Sequence, residues 1–378
     1  MQLTEEQLLI KETARRFASK KLSPNAEIWD RNAHFPVKEL KEMGKLGLMG
    51  ILVPQKYGGA EAGFLAYVTA LSEISEGDGG TSVTMAVQAI VETCILGYGN
   101  EEQKNLYLPG LACGDLFGAF MLTEPHTGSD AKAISCKAIK YGNQYILNGT
   151  KQFVTTGANA DIAIVFAVTE HPDSNKDISA FIVPTDSAGY KVARIENKLG
   201  QKTNDTAQII LEDIKISSPM LLGQEGQGYK IALCNLESGR IGIAAQSVGF
   251  SNAAFNAARS YALERKSFGK PLIEHQAIAF YLAEMATEIE AGRLMMLNAA
   301  ELKANGKPCL KEASMAKLFC SEMAERVCSK AIQIHGGYGY LSDFPVERLY
   351  RDARVCQIYE GTNEVQKSLI ARSISNEV

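Results

Sequence analysis

The chain has 378 residues, 46% of them hydrophobic and 22% charged, with a formal net charge of −4. That length is too great for one compact core and predicts two or three domains. The balance excludes the strongly basic face of a nucleic-acid binder, and the composition is that of an ordinary folded globular protein.

Glu5 and Glu6 come early and no apolar core follows them, so the N-terminus does not read as a signal peptide. The expectation is a cytoplasmic protein, with a matrix protein freed of its transit peptide as the other reading. Eight cysteines are scattered without C-x-x-C spacing and read as reduced core residues. Five isolated histidines predict no metal site.

Residues 1–117 read as a helical domain. Thr4 opens a capping box with Gln7. Pro36 starts a segment with Val37, Leu40, Met43 and Leu46 on one face. Helical runs follow near 63–77 and 82–97, and another after Asn100. In residues 118–224 short apolar runs alternate with turn signals such as Tyr141-Gly142-Asn143. This predicts an antiparallel β domain, a barrel or sandwich. Residues 225–378 return to long amphipathic helices over about 226–266, 275–304 and 309–334, with a last one from about 362, which predicts a four-helix bundle. The charge-free stretch Ile241 to Ala258 contains Gln246, Ser247, Ser251, Asn252 and Asn256. It reads as a buried helix and not as a membrane span. The fold class is α+β multidomain, in the order α, β, α.

Five segments could carry chemistry. The turn from Phe120 through Leu122, Thr123 and Ser129 to Asp130 can present amides and hydroxyls to a planar ring and a phosphate. It reads equally as a polar turn shaped by Gly128. Lys151 to Gly157 sets Phe153 and Thr155 on one strand face, beside Val154. Arg265, Phe268 and Gln276 lie past a helix end, where a cation suits either the dipole or a pyrophosphate. Gln333 to Tyr340 is glycine-rich at Gly336 and Gly337, yet no strand precedes it, so a Rossmann fingerprint is not supported. Tyr359-Glu360-Gly361-Thr362 puts a carboxylate on a tight bend ahead of a helix, with Glu364 in the first turn. Capping alone would also explain it.

The order and spacing of these segments resemble the acyl-CoA dehydrogenase family, most closely its short-chain, butyryl-type members. Leu122 to Asp130 is similar to the family's first signature, Gln333 through Arg348 to Asp352 to its second, and Tyr359 to Thr362 to its catalytic loop. The resemblance implies a homotetramer with one FAD per subunit. It implies that Phe120, Leu122, Thr123, Ser129, Phe153, Val154 and Thr155 surround the isoalloxazine. Arg265, Phe268, Gln276, Gln333, Gly336, Gly337, Thr362 and Glu364 would contact the rest of FAD, some of them in a neighbouring subunit. Ser129, Glu237, Arg240 and Gly361 would meet the acyl-CoA substrate. Many relatives carry Trp where this chain has Phe153, and the His126-Thr127-Gly128 turn is a variant.

The chemistry implied is α,β-dehydrogenation of an acyl-CoA thioester. Glu360 would take the α-proton, the β-hydride would pass to flavin N5, and electrons would go on to an electron-transfer flavoprotein. Some branches place the base where this chain has Gly239, which cannot serve. The glutaryl branch carries a basic residue in the helix matching Thr81 to Thr84, and none is present, so straight short-to-medium acyl chains are expected. The alternatives are a flavin oxidase, a monooxygenase or a biosynthetic dehydrogenase on the same scaffold, or a non-enzymatic scaffold protein.

Overall fold

A computed structural model describes residues 3–169 and 177–375. The N-terminal part is helical: α1 (Glu5–Phe17), α2 (Ala26–Asn32), α3 (Val37–Lys45), α4 (Gly63–Gly77), α5 (Gly79–Tyr98) and α6 (Glu101–Ala112). Local chemistry sets these ends. Thr4 and Gln7 form the expected capping box, and Asn100 and Gln103 form a second one. Asp78 caps α5 by accepting from the Thr81 amide at 2.7 Å. Among the described residues α5 is the one helix long and apolar enough to cross a membrane. It is instead the buried centre of this region, touching α4, α6, β1 and the first C-terminal helix.

The sheet has the strands β1 (Gly118–Met121), β2 (Lys137–Tyr141), β3 (Gln144–Thr155), β4 (Ile162–Thr169), β5 (Asp177–Pro184), β6 (Tyr190–Ile195), β7 (Thr206–Ser217) and β8 (Leu221–Leu222). Their order is β6-β7-β3-β2-β4-β5-β8, with β1 beside β4. The sheet is mixed where alternation suggested a wholly antiparallel one. The β2–β3 hairpin is inserted between β1 and β4, so β4 returns parallel to both β1 and β2. Strands β4 and β5 are buried almost throughout, which follows from helices covering one face and the rest of the sheet the other.

The C-terminal part contains α7 (Gly228–Glu264), a two-stranded hairpin of β9 (Lys266–Ser267) and β10 (Lys270–Pro271), α8 (Gln276–Ala304), α9 (Leu310–His335), α10 (Pro345–Arg354) and α11 (Asn363–Ser375). Helices α7, α8, α9 and α11 form the bundle, with α9 touching each of the others. The charge-free stretch 241–258 lies inside α7 and is largely buried, as its small residues foretold. Helix α10 was not expected from the sequence, although Val346, Leu349 and Ala353 recur along it at helical spacing. It starts at Pro345, a residue suited to the first helical position.

Candidate active site

Glu360 sits on the bend between α10 and α11. Its φ is +55°, and that of Gly361 is +87°. Two successive left-handed residues make a sharp turn that glycine accepts freely and glutamate does not, at a cost of about 1–2 kcal/mol. As a residue Glu360 is half-buried, yet its Oε2 exposes less than 1 Å² and has no hydrogen-bond partner. Burial pushes its carboxyl up to about 7, against the pull of Arg240 and Lys317.

Gly239 on α7 explains how that carboxylate fits. A Cβ built at Gly239 would stand 2.6 Å from Glu360 Oε2 and 3.3 Å from Ile90 Cδ1 on α5. Position 239 is therefore more than a missing base: its lack of a side chain is the space that Glu360 occupies. Arg240, one residue on, is buried, with its Nε unpartnered, and burial lowers its pKa while Glu360 and Glu237 oppose that. Tyr67 of α4 closes the same space, its hydroxyl 3.3 Å from the Cβ that Gly242 lacks.

A buried chain of polar side chains leads away from the bend. Tyr359 donates to Gln246 Oε1 at 2.7 Å, and Gln246 Nε2 donates to Ser82 at 2.8 Å. Gln201 Nε2 reaches the Tyr359 hydroxyl at 3.3 Å, and the Gln201 amide bonds Asp352. The bend is thus tied to α5, α7, α10 and the loop between β6 and β7.

The β1 turn forms a second cluster. Leu122 is buried, Phe120 packs on Phe166 with ring centres 4.9 Å apart, and the Thr123 carbonyl accepts from the Gln152 amide at 2.9 Å. Lys151 and Glu124, both buried, hold the turn. Lys151 Nζ lies 2.8 Å from Glu124 Oε1 and donates to the Leu122 carbonyl at 3.2 Å. Glu124 also accepts from the Ser135 and Cys136 amides. Strand β3 is bulged here. Lys151 pairs with Ile209, but Val154 pairs with Ala207, one residue in excess. Phe153 falls on the bulge with φ +55° and stays 63% exposed, while Val154 is buried and Thr155 half-buried. The sequence suggested a plain strand; the bulge is what turns the aromatic ring outward. Ser129 is exposed near the same turn.

A third group lies past the end of α7. Arg265, Gly336 and Gly337 line a cleft of about 430 Å³ with Tyr261, His335 and Tyr338. Arg265 has no ion pair among the described residues and lies over the Tyr338 ring, 5.7 Å from its centre. His335 is buried, stacks on Tyr261 at 4.3 Å and bonds the Ala331 carbonyl, which gives it a packing role. Phe268 is 95% exposed, and Gln276 and Gln333 are exposed as well. The residues lining this cleft are all different from those around Glu360. Glu237 pairs with Lys303 at 3.1 Å. Thr362 Oγ1 accepts from the Val365 amide at 3.4 Å at the start of α11, and Glu364 is exposed in its first turn.

Sequence reasoning missed three buried groups beside the bend: Lys317, Asn363 and Gln366. A signal existed for one of them. Lys317 lies on the apolar stripe of α9 with Ala313, Ala316, Cys320 and Ala324, and a lysine on a core face calls for a partner.

The comparisons agree along the whole chain. Residues 4–115 match the acyl-CoA dehydrogenase N-terminal domain, 119–214 its middle domain and 226–375 its C-terminal domain. An acyl-CoA dehydrogenase of Bacillus subtilis is 48% identical over 98% of each chain. The butyryl-CoA dehydrogenase structure from Megasphaera elsdenii superposes with a TM-score of 0.97 at 39% identity, over 99% of each chain. A chain from the structure of the electron transferring flavoprotein of Acidaminococcus fermentans does so with a TM-score of 0.96 at 43% identity, again over 99% of each. This chain belongs to the acyl-CoA dehydrogenase family.

Proposed function

We propose that Glu360 is the base of an FAD-dependent acyl-CoA dehydrogenase that acts on short- to medium-chain acyl-CoA thioesters. The observation that carries the assignment is the enclosed, unpartnered Oε2, held against Gly239 at a pKa near 7. A base poised near the working pH is what abstraction of a weakly acidic proton needs.

The protein residues fit FAD. The outward Phe153 ring and the Leu122–Thr123 turn offer a wall and polar backbone to a planar ring system. Arg265, which lines its cleft with no ion pair among the described residues, suits a pyrophosphate. When bound, FAD supplies the acceptor for the hydrogen lost from the β-carbon. The chain's own task is positioning. Ser129, Glu237, Arg240 and Gly361 meet the substrate, and by resemblance to the family the Glu360 amide donates to the thioester carbonyl, which stabilises the developing enolate. Glu360 then holds the α-proton. Tyr67, Ile90 and Gly239 crowd water from that carboxylate.

The Arg265 cleft and the exposed Phe268, Gln276 and Gln333 lie apart from Glu360 within one chain. This supports a homotetramer in which each subunit completes the FAD site of another. The match to the Acidaminococcus structure supports an electron-transfer flavoprotein as electron acceptor, and the Bacillus subtilis relative supports an acyl-CoA dehydrogenase activity; we take it to be a cytoplasmic enzyme of fatty-acid β-oxidation. Purified protein should be yellow, and turnover over C4 to C16 acyl-CoAs should peak at the short end. A maximum at C14 or longer would contradict the substrate class.

A further inference from the structure

We propose that Lys317 and Gln366 are positioning residues that clamp the Glu360–Gly361 bend in its left-handed conformation, so that the carboxylate meets the substrate already aimed. This rests on the reading of Glu360 as the base. Both side chains are fully buried. Lys317 Nζ, from α9, donates to the Gly361 carbonyl at 2.9 Å and to Asn363 Oδ1 at 2.9 Å. Gln366 Nε2, from α11, donates to the same Gly361 carbonyl at 2.8 Å and to the Glu360 carbonyl at 3.3 Å. Ser321 donates to Asn363 Oδ1 at 3.2 Å and fixes that end of the relay.

Two donors from two helices thus converge on one peptide oxygen, next to a glutamate whose backbone is in a region it would otherwise leave. A helix start needs no such arrangement. Thr362 already accepts from the Val365 amide through its hydroxyl and from the Gln366 amide through its carbonyl. Burying a lysine is costly, and burial has pulled this one down to about 8. Its cation is partnered by a carbonyl and an amide oxygen, which leaves the Glu360 carboxylate unbonded and free to act. The relay also carries charge to the site. The titratable and charged groups around Glu360 are Arg240 on α7, Lys317 on α9, Tyr67 on α4, Cys94 on α5 and the adjacent Tyr359. Arg240 and Lys317 are the two that favour its ionised form. Gln366 carries no charge, so the two halves of the clamp have separable signatures.

The test reads the base without the redox step. 3-Thiabutyryl-CoA has an acidic α-carbon but no β-hydrogen to lose. In deuterated water Glu360 takes its α-proton, exchanges it with solvent and returns a deuteron, which NMR follows. FAD-replete Lys317→Met should exchange about 10–100-fold more slowly, and the midpoint of its pH profile should rise by about one pH unit, because a nearby cation is gone. Gln366→Leu should slow exchange with the midpoint unmoved. Exchange at the parental rate with an unmoved midpoint in either FAD-replete variant overturns the clamp. If Lys317→Met does not retain FAD, Gln366→Leu decides alone, and parental exchange there overturns it. Glu360→Gln separates the two claims: continued exchange in that variant refutes the base, whereas its loss, with Lys317→Met and Gln366→Leu behaving as the parent, refutes only the clamp.

Discussion

At the scale of single residues, the site depends on an absence. The carboxylate of Glu360 occupies the volume that any side chain at position 239 would fill. Gly239→Ala must displace it, since a contact of 2.6 Å is closer than a Cβ tolerates. A shift on the order of 1 Å in a reacting group lowers turnover by about 100-fold. Steady-state assays with butyryl-CoA should show this loss in kcat while FAD stays bound; full activity would show that the carboxylate works from elsewhere. The pH dependence follows from the same burial. Glu360 must be ionised to act, and its pKa lies near 7. In the free enzyme kcat/KM should therefore fall as pH drops below about 7, and a profile flat through that range would place the base on another group. Most of this was legible in the sequence as a pattern: the Tyr359-Glu360-Gly361-Thr362 loop and a glycine at 239. The burial of Lys317 was signalled by its place on the apolar stripe of α9, but its partners, the place of Gln366 and the contact between positions 239 and 360 could not be read, because all depend on how α7, α9 and α11 pack. Periodicity reports which face is buried but not what it meets.

Among the elements, the bulge in β3 matters most to the site. Alternation in Gln144 to Thr155 marks a strand but cannot show one extra residue opposite β7, so the outward turn of Phe153 was not readable. The bulge and the β1 turn are held by the buried Lys151–Glu124 pair. Lys151→Met would leave Glu124 charged and enclosed, a change that costs about 3–5 kcal/mol. The thermal unfolding midpoint should drop and FAD should be lost more readily on dilution; an unchanged midpoint would mean that the pair does not hold the turn. The helices were read more fully than the strands, since the capping box at Thr4 and long apolar stripes are local signals. Helix α10 escaped because it is only ten residues long, although Val346, Leu349 and Ala353 recur at helical spacing along it.

For the whole molecule, the three regions meet near Asp352. This fully buried carboxyl bonds the Gln201 amide in the β6–β7 loop and lies 2.9 Å from the Cβ that Gly79 at the start of α5 lacks. Burial pushes it up to about 7 from an ordinary value of 3.8. The folded state therefore holds a proton that the unfolded chain gives up, and the stability this contributes is present below 3.8 and lost as pH rises through about 7. Asp352→Asn should flatten that part of the dependence of the unfolding midpoint on pH; an unaltered slope would show that Asp352 does not titrate there. Assembly belongs to the same scale. If the Arg265 cleft completes a partner's FAD site, Arg265→Ala should weaken FAD binding in the tetramer while leaving the Glu360 pocket intact. Light scattering with flavin titration would show this, and full FAD affinity would contradict it. The central claim is tested most directly by the visible spectrum of the FAD-loaded protein mixed with butyryl-CoA without oxygen. The parent should bleach, and Glu360→Gln, although equally yellow, should not. Bleaching of that variant at the parental rate would contradict the account.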